Sequence, residues 1–164
     1  MIPQLVSCFD HSVAFIQASV ADLSDEELVL QPPGLPNHAA WTLGHIIHSC
    51  EAIARELGVP PWLPADWESR FGYGSTPAGS TSECPRKNEL LAALSDAGTR
   101  LRRALLAADE ASLSAPLPNI EAGKIFPTLG DALLQVVVAH SAFHAGQLAA
   151  WRRAIGRRPM GVFI

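Results

Sequence analysis

The chain has 164 residues, 12 of them basic and 16 acidic, for a formal charge of −4. That length suits one domain, 1–164, with a core that needs no disulfide staples, and the acidic balance offers nothing to a polyanion such as nucleic acid. The three cysteines, Cys8, Cys50 and Cys84, are odd in number and form no CxxC, and no stretch approaches the ~18 apolar residues of a membrane helix, so the expectation is a cytoplasmic protein with no membrane partner.

In chain order, Leu5, Phe9, Val13, Ile16 and Val20 recur at helical spacing and predict a first helix over 4–20. Asp10 and His11 lie side by side on it, as solvated polar residues or as a pocket edge. LSDEEL, 23–28, reads as a short turn of helix capped by Ser24, with acidic residues in its first turn. QPPGLPN, 31–37, breaks the chain and ends in Asn37, a good cap for a helix over about 38–57. Leu43, Ile46, Ile47, Cys50, Ile53, Ala54 and Leu57 form its broad apolar face, and Gly58 with Pro60 and Pro61 stops it. His45 and His48 both point away from the centre of that face, and helical angle alone does not separate them. Cys50 lies well inside the face and reads as a small hydrophobe.

Residues 58–85 are too long and too rich in Gly, Pro and Ser for an ordinary connection, yet they contain Trp62, Trp67, Phe71 and Tyr73. A packed loop over one end of the bundle accounts for both facts. It either roofs a ligand pocket with these aromatics or covers apolar helix surface, and long ordered loops tilt the reading toward the pocket. A third helix is expected over 87–107, then a short capped segment at DEASL, a second irregular piece, PLPNIEAGKIFP, and a last helix starting at Thr128 with Asp131 as an imperfect reciprocal cap.

On that last helix Leu133, Val137, His140, His144, Leu148, Trp151 and Ile155 form one inward line, so two histidines stand one turn apart in a core stripe. A buried imidazole needs a hydrogen bond, a charge or a metal, and i,i+4 spacing lets two of them share one divalent ion. Four amphipathic helices predict an all-α fold, an antiparallel four-helix bundle, in which a histidine of the second helix can meet the HxxxH pair. Three imidazoles would leave positions open for water or substrate, and Zn, Ni or Fe(II) are all admissible. An HExxH helix is ruled out because Ser141 and Ala142 follow His140, and no glycine-rich phosphate loop is present. Arg152, Arg153, Arg157 and Arg158 fit helix-end electrostatics better than nucleic-acid binding.

AHSAFHAGQLAAWRRAIGR, 139–157, resembles the terminal signature of the DinB/YfiT-like metalloenzyme superfamily, and LPNHAAWTLGHIIHSCEAIAREL, 35–57, resembles its other histidine helix. The resemblance extends over the whole chain, including FGYGS and NELLAAL. It implies a four-helix bundle with a long crossover, a divalent metal held by three histidines, and homodimers. Carried over by residue, it places the metal on His45, His140 and His144, gives His48 no ligand role, and makes Gln147 a residue that orients the groups around the metal. The activities it implies are small-thiol S-transfer to an electrophilic small-molecule substrate, with the thiol as cosubstrate, or a related hydrolysis. A noncatalytic, stress-associated metal or small-molecule binding protein is the alternative.

Overall fold

The computed structural model describes residues 1–117 and 119–160, with Ile120 through its backbone alone. The fold is all-α. The first helix, α1 (Ile2–Val20), buries Leu5, Phe9, Ile16 and Val20 along one side. A single turn, α2 (Asp25–Leu28), follows behind a reciprocal cap between Ser24 and Glu27.

The second long helix, α3 (Ala39–Glu56), begins one residue later than the sequence suggests, and its cap is His38 rather than Asn37. His38 Nδ1 accepts from Trp41 N at 3.1 Å, and its other ring nitrogen reaches Ala78 O at 2.8 Å. An imidazole can thus cap the helix and tether a distant loop at once. Most of α3 is buried, including Trp41, Thr42, Gly44 and Glu51 on sides away from its apolar face, because the crossover loop covers what the other helices leave open.

That loop contains a short helix, α4 (Trp67–Phe71), and a 3-10 turn at Thr81–Glu83. It runs back along α3 from the C-terminal toward the N-terminal end. Glu51 Oε2 accepts from Trp62 N and Leu63 N at 2.6 Å each. Trp67 Nε1 donates to Gly44 O at 3.0 Å, His45 Nδ1 donates to Phe71 O at 2.7 Å, and Trp41 Nε1 donates to Ser75 Oγ at 2.9 Å. With His38 and Ala78 these contacts make an ordered ladder. The loop therefore lies along the side of α3, not over one end of the bundle.

Helix α5 (Lys87–Ala107) has the bounds its sequence predicts and buries Leu90, Leu94, Ala97, Leu101 and Leu105. One single turn, α6 (Glu110–Leu113), forms at the DEASL segment, and another, α7 (Ile120–Gly123), interrupts the second irregular stretch. The last helical run starts with α8 (Leu129–Leu133), behind the Thr128–Asp131 cap. It continues through a π-helical turn at Leu134–His140 and ends as α9 (Ser141–Ala154).

Helix α5 packs on α1 and α3, and the last helical run also packs on α1 and α3, closing a ring of four long helices around one apolar cluster. Arg152 locks the ring: its guanidinium meets both carboxylate oxygens of Asp22 at 2.6 and 2.7 Å, Ser19 O at 3.0 Å and Arg158 O at 2.7 Å. Arg157 pairs with Glu27, so two of the four C-terminal arginines serve intramolecular ion pairs. Among the described residues, no helix is long and apolar enough to cross a membrane.

Candidate metal centre

His45 enters the interior from α3, while His140 and His144 come from the junction of the π turn and α9. Such wider turns are common at functional sites. Leu133 and Val137 are buried on one side of the junction, and Ser141, His144 and Leu148 on the other. Ser141 Oγ donates to Val136 O at 3.2 Å, spanning the widened turn with a side-chain bond. His140 is left half-buried, whereas His45 and His144 are 7% and 4% exposed.

The three rings converge through Nε2. His140 Nε2 lies 3.1 Å from His45 Nε2 and 3.0 Å from His144 Nε2. A carbonyl oxygen only accepts, so Phe71 O fixes a proton on His45 Nδ1, and Gln147 Oε1, 2.7 Å from His144 Nδ1, fixes another there. In the neutral rings His45 Nε2 and His144 Nε2 are then both lone pairs. A proton on His140 Nε2 satisfies one of them and leaves the other facing nitrogen. A cation satisfies all three. Two nitrogens each about 2.0–2.1 Å from a common ion lie about 3.0–3.4 Å apart, so the observed spacing suits a shared divalent metal.

Burial pushes all three imidazoles toward the neutral form that a metal requires. It brings His140 down to about 3, helped by His144 and His45, and His144 down to about 4, helped by His45. His45 is lowered chiefly by burial as well, and the Phe71 hydrogen bond opposes the shift. At neutral pH no positive charge on the rings opposes an arriving cation.

His45, His140 and His144 are the group of three or more potential ligands brought together among the described residues. His48 is not in it; that ring lines a separate surface cavity with Glu51, Arg55, Glu56 and Glu68. Gln147 lies against the ring of His144, a candidate ligand. Trp41, by contrast, was given no site role by the sequence, only a place on the histidines' side of the helix, yet its ring lies flat on His45, with centroids 4.7 Å apart and planes 9° from parallel. Its place one turn before His45 was the available signal.

Of the two readings of the loop aromatics, a pocket roof or a cover for helix surface, Trp67 and Phe71 fit the second. Trp67 and Phe71 are buried in the core, Tyr73 is fully exposed, and Trp62 is half-buried with the Arg100 guanidinium over its ring. Trp62 and Trp67 do line a cavity of about 410 Å³, with Leu63, Pro64 and Ala93, but none of the three histidines faces it. The physical reason is Gly44, whose missing side chain lets Phe71 sink onto α3. Asp10 and His11 remain exposed on α1, and burial pushes the Cys50 thiol up to about 12, which leaves it an inert core group.

The family model for the DinB superfamily matches residues 10–148, a span that holds the three histidines and Gln147. The chain is also similar to a crystal structure of a conserved protein from Enterococcus faecalis, with a TM-score of 0.74 at 18% identity over 96% of this chain and 98% of that one. At that identity the likeness concerns the fold. No curated protein matches the sequence.

Proposed function

We propose, for a chain that belongs to the DinB superfamily, that it is a metal-dependent enzyme acting on a small molecule, with one divalent ion, Zn, Ni or Fe(II), held by His45, His140 and His144. The observation that carries this reading is the convergence of three Nε2 atoms whose tautomers leave lone pairs facing each other. An ion bound by three neutral nitrogens supplies Lewis acidity that lowers the pKa of a thiol or water and steadies developing negative charge. The chain's own residues do the holding: Phe71 O and Gln147 Oε1 keep the Nδ1 protons in place, and Trp41 keeps the His45 ring from turning. The half-buried His140 puts the centre at the margin of the bundle, within reach of a small ligand.

The reaction class proposed is small-thiol S-transfer to an electrophilic substrate, or a related hydrolysis. The thiol cosubstrate, homodimeric assembly and cytoplasmic location belong to the same proposal. The test is to supply the metal-loaded protein with electrophiles and glutathione, bacillithiol or mycothiol, and with esters and amides in the absence of thiol. Turnover that disappears in His45→Ala and His144→Ala, with both variants still helical, supports catalysis.

One observation favours a second reading, noncatalytic binding of a metal or small molecule. Trp67 and Phe71 fill the space between loop and helix, so they are not free to receive a substrate. Metal uptake with no turnover in any of those reactions selects that reading.

A further inference from the structure

The three histidines are braced in different ways. His144 is held from within its own helix by Gln147, and no described residue bonds His140 Nδ1. The supports of His45 lead instead to the crossover loop. Its Nδ1–H goes to Phe71 O. The Trp41 ring that lies against it donates to Ser75 Oγ, which donates in turn to Arg70 O at 3.1 Å. Phe71 comes this near because residue 44 is glycine: a Cβ there would fall 2.3 to 2.6 Å from three carbons of the Phe71 ring. Trp67 closes the arrangement, with its ring 4.8 Å from that of Phe71 and its Nε1–H on Gly44 O.

We infer that residues 67–75 of the crossover loop are a working part of the metal centre, with Gly44, Phe71, Trp41 and Ser75 as positioning residues for His45, so that loop docking and metal binding form one linked equilibrium. This rests on the three-histidine centre proposed above. With the loop docked, Phe71 O holds the proton on Nδ1 and leaves the Nε2 lone pair for the ion, while the Trp41 stack holds the plane of the ring. With the loop released, either nitrogen carries the proton and the ring turns. The centre is then reduced to the two histidines of one helix. An ion that prefers the docked state must stabilise docking by the same free energy by which docking strengthens its binding.

The experiment measures Zn(II) affinity by chelator competition, the Co(II) absorption spectrum, and amide exchange at Arg70, Gly72 and Ser75, whose N–H groups are hydrogen-bonded within the docked loop. Wild type is compared with Gly44→Ala, Ser75→Ala and the pair Gly44→Ala/Phe71→Leu. Gly44→Ala is expected to weaken metal binding about 10–100-fold, the range for groups that support a metal ligand from behind, and to alter the Co(II) spectrum. The smaller side chain of Phe71→Leu makes room for the new methyl and restores both. Metal addition to wild type is expected to slow exchange at the three amides. Ser75→Ala, which removes only the far end of the Trp41 tether and does not threaten the fold, is expected to shift the Co(II) spectrum and shrink that slowing.

Metal binding by wild type with loop exchange unchanged, and with Ser75→Ala indistinguishable from wild type in spectrum and affinity, overturns the linkage while leaving the centre standing. A wild-type protein that takes up no metal overturns the centre itself, and the linkage with it.

Discussion

Gln147 Oε1 stands 2.7 Å from His144 Nδ1, three residues earlier in the same helix. The contact chooses which ring nitrogen of His144 is free, and because both partners ride on α9 it does so without help from the rest of the fold. Gln147→Leu is expected to weaken metal binding by about 10-fold or more. Gln147→Glu keeps an acceptor and adds charge, so it should bind at least as tightly as wild type. Chelator competition at constant pH checks both, and equal affinity for all three proteins would remove Gln147 from the centre.

His45 and His48 provide a control on one helix. His45 points at the other two rings, whereas His48 lines a surface cavity. Purified without chelator, wild type and His48→Ala should each retain about one divalent ion per chain, and His45→Ala should retain little. With free metal at 100 times Kd, wild type should gain about 5–10 °C in Tm. His48→Ala should gain as much, and His45→Ala should not shift.

The Asp22–Arg152 pair predicts an acid limb in the stability profile. The guanidinium brings the Asp22 carboxyl down to about 2 from its usual 3.8. A lowered carboxyl stabilises the fold at pH values above its unfolded pKa, and that contribution is lost as pH falls from about 4 to about 2. In urea titrations across that window Asp22→Asn should lose less stability than wild type, having already lost it at neutral pH. The side chain is 53% exposed, so solvent screening keeps the difference modest.

Glu51 is a buried acid whose Oε2 takes two backbone N–H groups of the loop at 2.6 Å each. Glu51→Ala strands both donors and should cost about 2 kcal/mol in urea unfolding. Glu51→Gln retains an acceptor and should cost less. An Ala variant as stable as wild type would show that water replaces the carboxylate freely.

Much of this architecture was legible because burial follows period. The Leu90 to Leu105 stripe of α5 and the Thr128–Asp131 cap appear where residue spacing and cap chemistry put them. His45 was not legible by angle, since α3 is covered on one side by the bundle and on another by the loop, and a helix buried nearly all round has no single inward direction. Asn37 lost the cap to His38 because His38 makes a long-range bond to Ala78 that cap preference does not encode. The π turn was also invisible, because LQVVVAH has an apolar pattern that an ordinary α-helix accepts equally well. The aromatics of the loop marked an ordered segment correctly, but their composition could not distinguish lining a pocket from sealing a helix.

The ladder between α3 and the loop also bears on the order in which the molecule assembles. Its rungs close between residues 38 and 78, over separations of 11 to 40 residues, whereas His45 meets His140 across 95. Short loops close at less entropic cost than long ones, and locally connected segments form earlier. A nascent chain that has emerged only as far as Ala78 already contains every group that orients His45. The other two histidines arrive with the last helix, already spaced one turn apart by that helix. On this ordering the candidate centre is expected to form from two halves that meet late in folding, when the C-terminal helix docks against the rest of the chain.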